Sequence, residues 1–296
     1  MNQVDTSYVK ARKLALVNSR TINILLVGCG GTGSWLAPSV ARAAKIINEK
    51  LRLQVRVIFI DPDHVEAKNV YRQNFCQAEV GANKAETLAL RFGAAWGMPL
   101  PIQSMVMEFA KAWEKLSSFT YSDDLTVILG CVDNPIARKS IATVFEKCTS
   151  SPKNPPSLWW IDSGNDHSSG QILIGSDLVD LGGFPIKGYC TRLPLPSVQH
   201  PELVSRTEIV VPKADLSHLS CADMALLDAQ SLTINQRMAA EMTDYLFRAV
   251  VLRDLDRFAT YINLKSGTTR SNYITPENIA GVFEQAEAQK QSLMAV

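Results

Sequence analysis

No two of the six cysteines, Cys29, Cys76, Cys131, Cys148, Cys190 and Cys221, stand in a C-x-x-C pair. A four-thiolate zinc site draws on two such pairs, so no structural zinc is expected. Scattered through apolar stretches and loops, the cysteines do not read as a disulfide framework, and a reducing, cytoplasmic setting follows. An excess of one charge is also missing: 30 Lys and Arg face 29 Asp and Glu, for a net +1. That leaves no basic footprint for nucleic acid and no polybasic segment for a membrane surface. The longest apolar runs, INILLVG and LTVILG, are strand-sized, far short of the roughly 20 residues that span a bilayer. The opening MNQVDTSYVKARK has no apolar core of the signal-peptide type. Internal repeats and low-complexity segments are absent as well.

What remains is 296 residues, 46% of them apolar, enough for one α/β domain with a sizeable core. Residues 1–20 read as a short helix or arm. INILLVG is a continuous apolar run closed by glycine, the pattern of a buried parallel strand. A helical pattern covers about 34–48, and a second apolar strand, VRVIFID, ends on Asp61. Together they make a β-α-β unit. Residues 62–83 read as loop and short turns, 83–95 as helix, IQSMVM as a weak strand and 110–120 as helix. LTVILGCVD is another buried strand, followed by a helix over 136–148, a loop with three prolines in SSPKNPPS, and strands in LWWID and GQILIG. Between 181 and 220 the chain is rich in proline and poor in periodicity, and a loop that long in a compact domain is usually functional. A long, largely buried helix, a strand at ATYINL and a polar helical tail close the sequence.

The glycines Gly28, Gly30, Gly31 and Gly33 of GCGGTG sit between a strand and a helix. Such a turn lets backbone N–H groups approach phosphate oxygens at the positive end of the helix. No Gly-Lys-Ser/Thr follows, so this is not a Walker A loop. Asp61, closing the next strand, is placed to accept ribose hydroxyls, or else to cap a turn. Asp63 is expected to face solvent. Asn69, Arg72, Gln73 and Lys84 follow. An Arg fork and a Lys point charge suit triphosphate oxygens and the charge developing on phosphorus under attack. A hydride-transfer enzyme holds only a pyrophosphate and has less use for them. Asp133 and Asn134 end a third strand at the carboxyl edge. Asp133 reads equally as a Mg²⁺ ligand facing phosphates and as a cap for the helix starting at Pro135. Arg138, one turn on, either reaches the site or is exposed.

Taken together, GCGGTG, DPDHV, NVYRQ, GANK and VDN, in this order over about 110 residues, resemble the ThiF/MoeB adenylyltransferases, bacterial relatives of ubiquitin-activating enzymes. SCADMALLDAQSLTINQRMAAEM is similar to that family's cysteine and the long helix after it. The loop RLPLPSVQHPEL is similar to the ThiF-like component of plasmid-borne PRTRC systems. The resemblance implies a Rossmann-like three-layer α/β domain over 21–296, with a mostly parallel central sheet, antiparallel strands toward the C terminus, and 181–220 as a long crossover-type loop. It implies ATP and Mg²⁺ as cofactors, and adenylation of the C-terminal carboxylate of a small ubiquitin-like protein ending in Gly-Gly. It also implies a homodimer and a conjugating-enzyme-like partner. By the same resemblance Asp61 holds the ribose, Arg72 and Lys84 stabilise the phosphates, Asn69, Gln73 and Asn134 position them, and Asp133 holds the metal.

The chain departs from the family pattern in three ways. It lacks the paired C-x-x-C zinc ligands of many relatives. Arg12 and Arg20 are poor matches to the N-terminal Arg that reaches a partner subunit's ATP in others. Its proline-rich 184–220 segment is not typical of the simplest members. Cys221 aligns with a cysteine that takes up the activated carboxylate in some members. A helix N-terminus there favours a thiolate, whereas a small buried residue at a helix start is the plainer reading. Competing functions are activation of a small-molecule or tRNA-linked carboxylate, an NAD-dependent oxidoreductase using only the glycine loop and Asp61, and a non-catalytic nucleotide-binding scaffold.

Overall fold

The structure is a computed structural model that describes residues 6–97, 102–116, 124–149, 157–176, 184–205 and 221–294. Its strands are β1 (Lys13–Leu14), β2 (Thr21–Val27), β3 (Gln54–Ile60), β4 (Gln103–Met105), β5 (Leu125–Gly130), β6 (Ser157–Asn165), β7 (Ser169–Gly175), β8 (Tyr189–Cys190), β9 (Arg257–Asn263) and β10 (Thr268–Tyr273). Eight of them form one sheet in the order β10-β9-β7-β6-β5-β2-β3-β4. From β6 to β4 the neighbours are parallel; β7, β9 and β10 add antiparallel pairs.

Both faces of the parallel half are covered, which is why its strands are apolar throughout rather than alternating. Ile22, Ile24 and Leu26 of β2 pack in one core with Val57 and Phe59 of β3. Leu25 and Val27 pack in the other with Ile58 and Ile60. The first core is roofed by the helices Gly31–Leu51, Lys84–Trp96 and Cys221–Leu246, the second by Phe109–Leu116 and Pro135–Thr149. The result is the expected three-layer α/β domain. The chain leaves β2 for β3 on one side and reaches β5 on the other. The strand order therefore reverses between β2 and β5, and a crevice opens at their carboxyl ends, where open α/β sheets bind ligands.

Three local expectations change. Thr268–Tyr273, inside the supposed polar tail, is a strand. Its polar residues suit the edge position that β10 occupies, with its outer backbone row unpaired in the sheet. The helix Cys221–Leu246 is not buried all round. Ile234, Asn235, Met238, Ala239 and Met242 form a buried stripe, while Gln236, Arg237 and Ala240 are exposed. The proline-rich stretch is no bare loop over 184–205: it holds β8 and two single-turn helices, Pro196–Gln199 and Glu202–Ser205. Its remainder, 206–220, lies outside the described residues, as does most of SSPKNPPS. The N-terminal arm folds back on its own chain. β1 pairs in parallel with β8, and Leu14 N–H donates to the Leu255 carbonyl. Among the described residues, no helix is long and apolar enough to cross a membrane.

Candidate functional site: a cleft at the carboxyl edge of the sheet

The turn after β2 is shaped by backbone approaches that only glycine permits. Gly28 has φ +88°, and a Cβ on it would lie 2.7 Å from the Cys131 carbonyl oxygen. A Cβ on Gly33 would lie 1.9 Å from the Gly28 oxygen, so the loop folds directly onto the first turn of its helix. Gly30 and Gly31 face a cleft of about 1380 Å³. Asp61, at the end of β3, is buried beside them. One carboxylate oxygen accepts the Cys29 N–H at 2.6 Å and the other the Asp63 N–H at 2.8 Å. Burial pushes its pKa up, opposed by these two N–H donors. Besides facing the cleft, Asp61 thus holds the glycine loop in shape.

Asn69, Arg72, Gln73 and Lys84 all line the same cleft. Asn69 is the buried pivot of the short 3₁₀ turn Ala67–Tyr71. Its side chain accepts the Glu66 N–H and its carbonyl accepts the N–H groups of Arg72 and Gln73. Trp35 Nε1 donates to the Arg72 carbonyl at 3.2 Å, fixing that backbone against the glycine-loop helix. Gln73 is buried with its Oε1 unpaired, and its amide nitrogen stands 3.8 Å from where a Gly30 Cβ would be. Lys84 opens the helix Lys84–Trp96, whose N-cap is Asn83. The Asn83 carboxamide accepts the Glu86 N–H and donates to the carbonyls of Asp61 and Asp63. One side chain therefore sets the helix start and the end of β3 together. Lys84 Nζ lies 3.0 Å from Asp63 Oδ2. Asp63 is exposed as expected, yet it partners a buried lysine.

After β5, Asn134 rather than Asp133 caps the next helix: its Oδ1 accepts the Ala137 N–H at 2.8 Å. Asp133 is exposed in the cleft. Mg²⁺ is commonly held by one or two carboxylates together with substrate phosphates, and Asp133 beside a phosphate-type loop fits that donor set. Among the described residues no group of three or more His, Cys, Asp or Glu is arranged to hold a metal ion. Arg138 is neither exposed nor loose. Its Nε pairs with the fully buried Asp162 at 3.1 Å and its Nη2 donates to the Ser163 carbonyl. Burial raises the Asp162 pKa and Arg138 opposes the rise.

A second wall of the cleft was not legible from the sequence. Thr32 Oγ1 donates to Asn165 Oδ1, and Asn165 Nδ2 donates to Asn235 Oδ1, both at 3.2 Å. The chain joins the glycine-loop helix, the β6–β7 turn and the Cys221–Leu246 helix. Farther along, His200 is held between Glu202 (2.8 Å) and the Tyr261 hydroxyl (2.8 Å). Asp162 had a signal, a carboxylate closing an apolar run; Asn165 at a strand end, Asn235 within a helix and His200 after one had none. Arg12 and Arg20 are not among the cleft-lining residues.

The cysteines near the loop are unsuited to nucleophilic work. Burial pushes the Cys29 thiol well up, with the Asp61 carboxylate adding to the effect, and burial likewise raises Cys131. The thiolate is the reactive form. Cys221 begins the helix Cys221–Leu246, and its side chain lies outside the described residues.

The fold has solved counterparts. PaaA, solved as its selenomethionine form, is 16% identical with a TM-score of 0.51, covering 86% of this chain and 73% of PaaA. MccB from E. coli, solved with succinimide, is 16% identical with a TM-score of 0.52, covering 87% of this chain and 64% of MccB. The chain thus spans less than two thirds of MccB's length. MccB has also been solved with ATP, at 15% identity and a TM-score of 0.50. Identities this low establish the shared fold. No curated protein matches the chain. The profile of the ThiF family matches residues 8–200, nearly two thirds of the sequence and every motif from GCGGTG to VDN, and the chain belongs to the ThiF family.

Proposed function

We propose that this chain is an adenylyltransferase that binds ATP in the cleft and activates the C-terminal carboxylate of a small ubiquitin-like protein. The observation that carries the reading is the convergence of Arg72, Lys84 and Asp133 with the glycine loop and Asp61 on one cleft. A redox dinucleotide site leaves the first three without work. The α-phosphorus is attacked by a carboxylate oxygen of the partner. The bond to the bridging oxygen of the β-phosphate breaks, pyrophosphate leaves, and an acyl-adenylate remains.

Such chemistry asks the protein for position and fixed charge rather than covalent help. Gly30 and Gly31 offer backbone N–H groups, Asp61 the ribose contact, and Gln73 its unpaired oxygen and amide. Arg72 and Lys84 supply positive charge where charge builds on the phosphates. Lys84 has three donors, so it can bind a phosphate oxygen while keeping Asp63. Asp133 would hold Mg²⁺, which neutralises triphosphate charge when bound. Transfer onward to Cys221, a Gly-Gly terminus on the partner and a homodimeric assembly complete the proposal on family resemblance alone.

The test is ATP–pyrophosphate exchange with a candidate ubiquitin-like protein. Exchange should require Mg²⁺ and an intact partner C terminus, and Asp133→Ala should abolish it without lowering the melting temperature. Exchange that survives Asp133→Ala sinks the metal assignment. Exchange supported by a small carboxylate and not by any such protein sinks the partner class.

A further inference from the structure

Asn235 lines the cleft, yet it lies about 200 residues beyond the glycine loop and outside the ordered motifs from GCGGTG to VDN. The residue is 4% exposed. The carboxamide rests against Gly31: a Cβ on that glycine would fall 2.8 Å from Asn235 Nδ2 and 2.9 Å from its Oδ1. Its orientation is fixed by neighbours. Asn165 Nδ2 donates to the Asp166 carbonyl at 3.3 Å, so Asn165 cannot be turned the other way. That Nδ2 also donates to Asn235 Oδ1, while Asn165 Oδ1 accepts the Thr32 hydroxyl. Both amide atoms of Asn235 lie against Gly31; the oxygen is taken by Asn165, and among the described residues the nitrogen has no acceptor.

Asn235 lines the cleft, so this nitrogen is available to a ligand lying there. It lies against the loop where a 21-residue helix, Gly31–Leu51, begins and its free N–H groups favour an anion. We propose that Asn235 Nδ2 donates a hydrogen bond to a phosphate oxygen of the nucleotide bound over Gly30–Gly31. This rests on the ATP reading and extends it. The phosphate site is completed by the helix Cys221–Leu246, through a hydrogen-bond relay that keeps the amide turned to the ligand. Thr32 and Asn165 are positioning residues; Asn235 touches the phosphate.

Calorimetric titration of ATP and of adenosine into the wild type, Asn235→Ala and Asn235→Asp tests it. Asn235→Ala should weaken ATP binding about tenfold, the scale of one hydrogen bond to a charged acceptor, and leave adenosine binding unchanged. Asn235→Asp keeps the shape, turns a carboxylate oxygen toward the phosphates, and should weaken ATP about a hundredfold or more. If Asn235→Ala does not fold, the same-sized Asn235→Asp carries the comparison. ATP affinity equal to wild type in the variants overturns the contact. So does an equal loss for ATP and adenosine, which marks a purely structural side chain. A wild type that binds no ATP overturns the ATP reading along with it, whereas loss of this contact alone leaves that reading standing.

Discussion

The two walls of the cleft are built differently. One wall follows the parallel strands β2, β3 and β5. Its residues fall within 106 positions, from Gly28 to Asp133, in the turns and helix starts that follow those strands. The other wall takes Arg138, Asn165, Glu202 and Asn235 from four separate elements, held by long-range pairs such as Arg138–Asp162 and His200–Tyr261. The first wall concentrates charge that can meet a ligand. The second concentrates buried polar pairs that hold elements together.

Breaking the second wall should cost most in stability. Asp162→Ala leaves Arg138 buried without its carboxylate, and the loss expected is about 3–5 kcal/mol, read by denaturant unfolding. A loss under about 1 kcal/mol would mean that water reaches the pair. On the first wall, Lys84→Ala should lower exchange by about a hundredfold to a thousandfold, or roughly 3–4 kcal/mol of transition-state stabilisation. Its melting temperature should stay near wild type, because the Asp63 partner left behind is exposed. A variant that loses both together would blur the contrast between the walls. Asn83→Ala lies between these cases. It removes a helix cap and two donors to carbonyls of the Asp61–Asp63 turn, for about 1–2 kcal/mol of stability, and should raise the KM for ATP by displacing Lys84. Tyr261→Phe should have the smallest effect, about 1 kcal/mol, through loss of the bond to His200. Exchange kinetics should not change.

The same division explains what could be read from the sequence. Buried parallel strands announce themselves as unbroken apolar runs, so β2, β3 and β5, the β-α-β order and the residues at their ends were all legible. Asp133 and Asn134 were not separable in advance, because both residue types cap helices; the hydrogen bond from Ala137 N–H settles that Asn134 does so. Asp63 could not be tied to Lys84, since the pairing depends on Asn83 folding the turn back on itself. β10 was missed because an edge strand of Thr, Arg, Ser and Asn carries little apolar signal. Asn165 and Asn235 left no trace: their meeting is set by the packing of a helix on a sheet, 70 positions apart.

A cleft that serves a nucleotide with reacting phosphates must bind ATP and refuse a redox dinucleotide. Parallel calorimetric titrations of the wild type with Mg·ATP and with NADH test this most directly. ATP binding should be saturable and weakened by Arg72→Ala and Lys84→Ala, and NADH binding should not be measurable. Tight NADH binding without ATP binding would contradict the ATP reading.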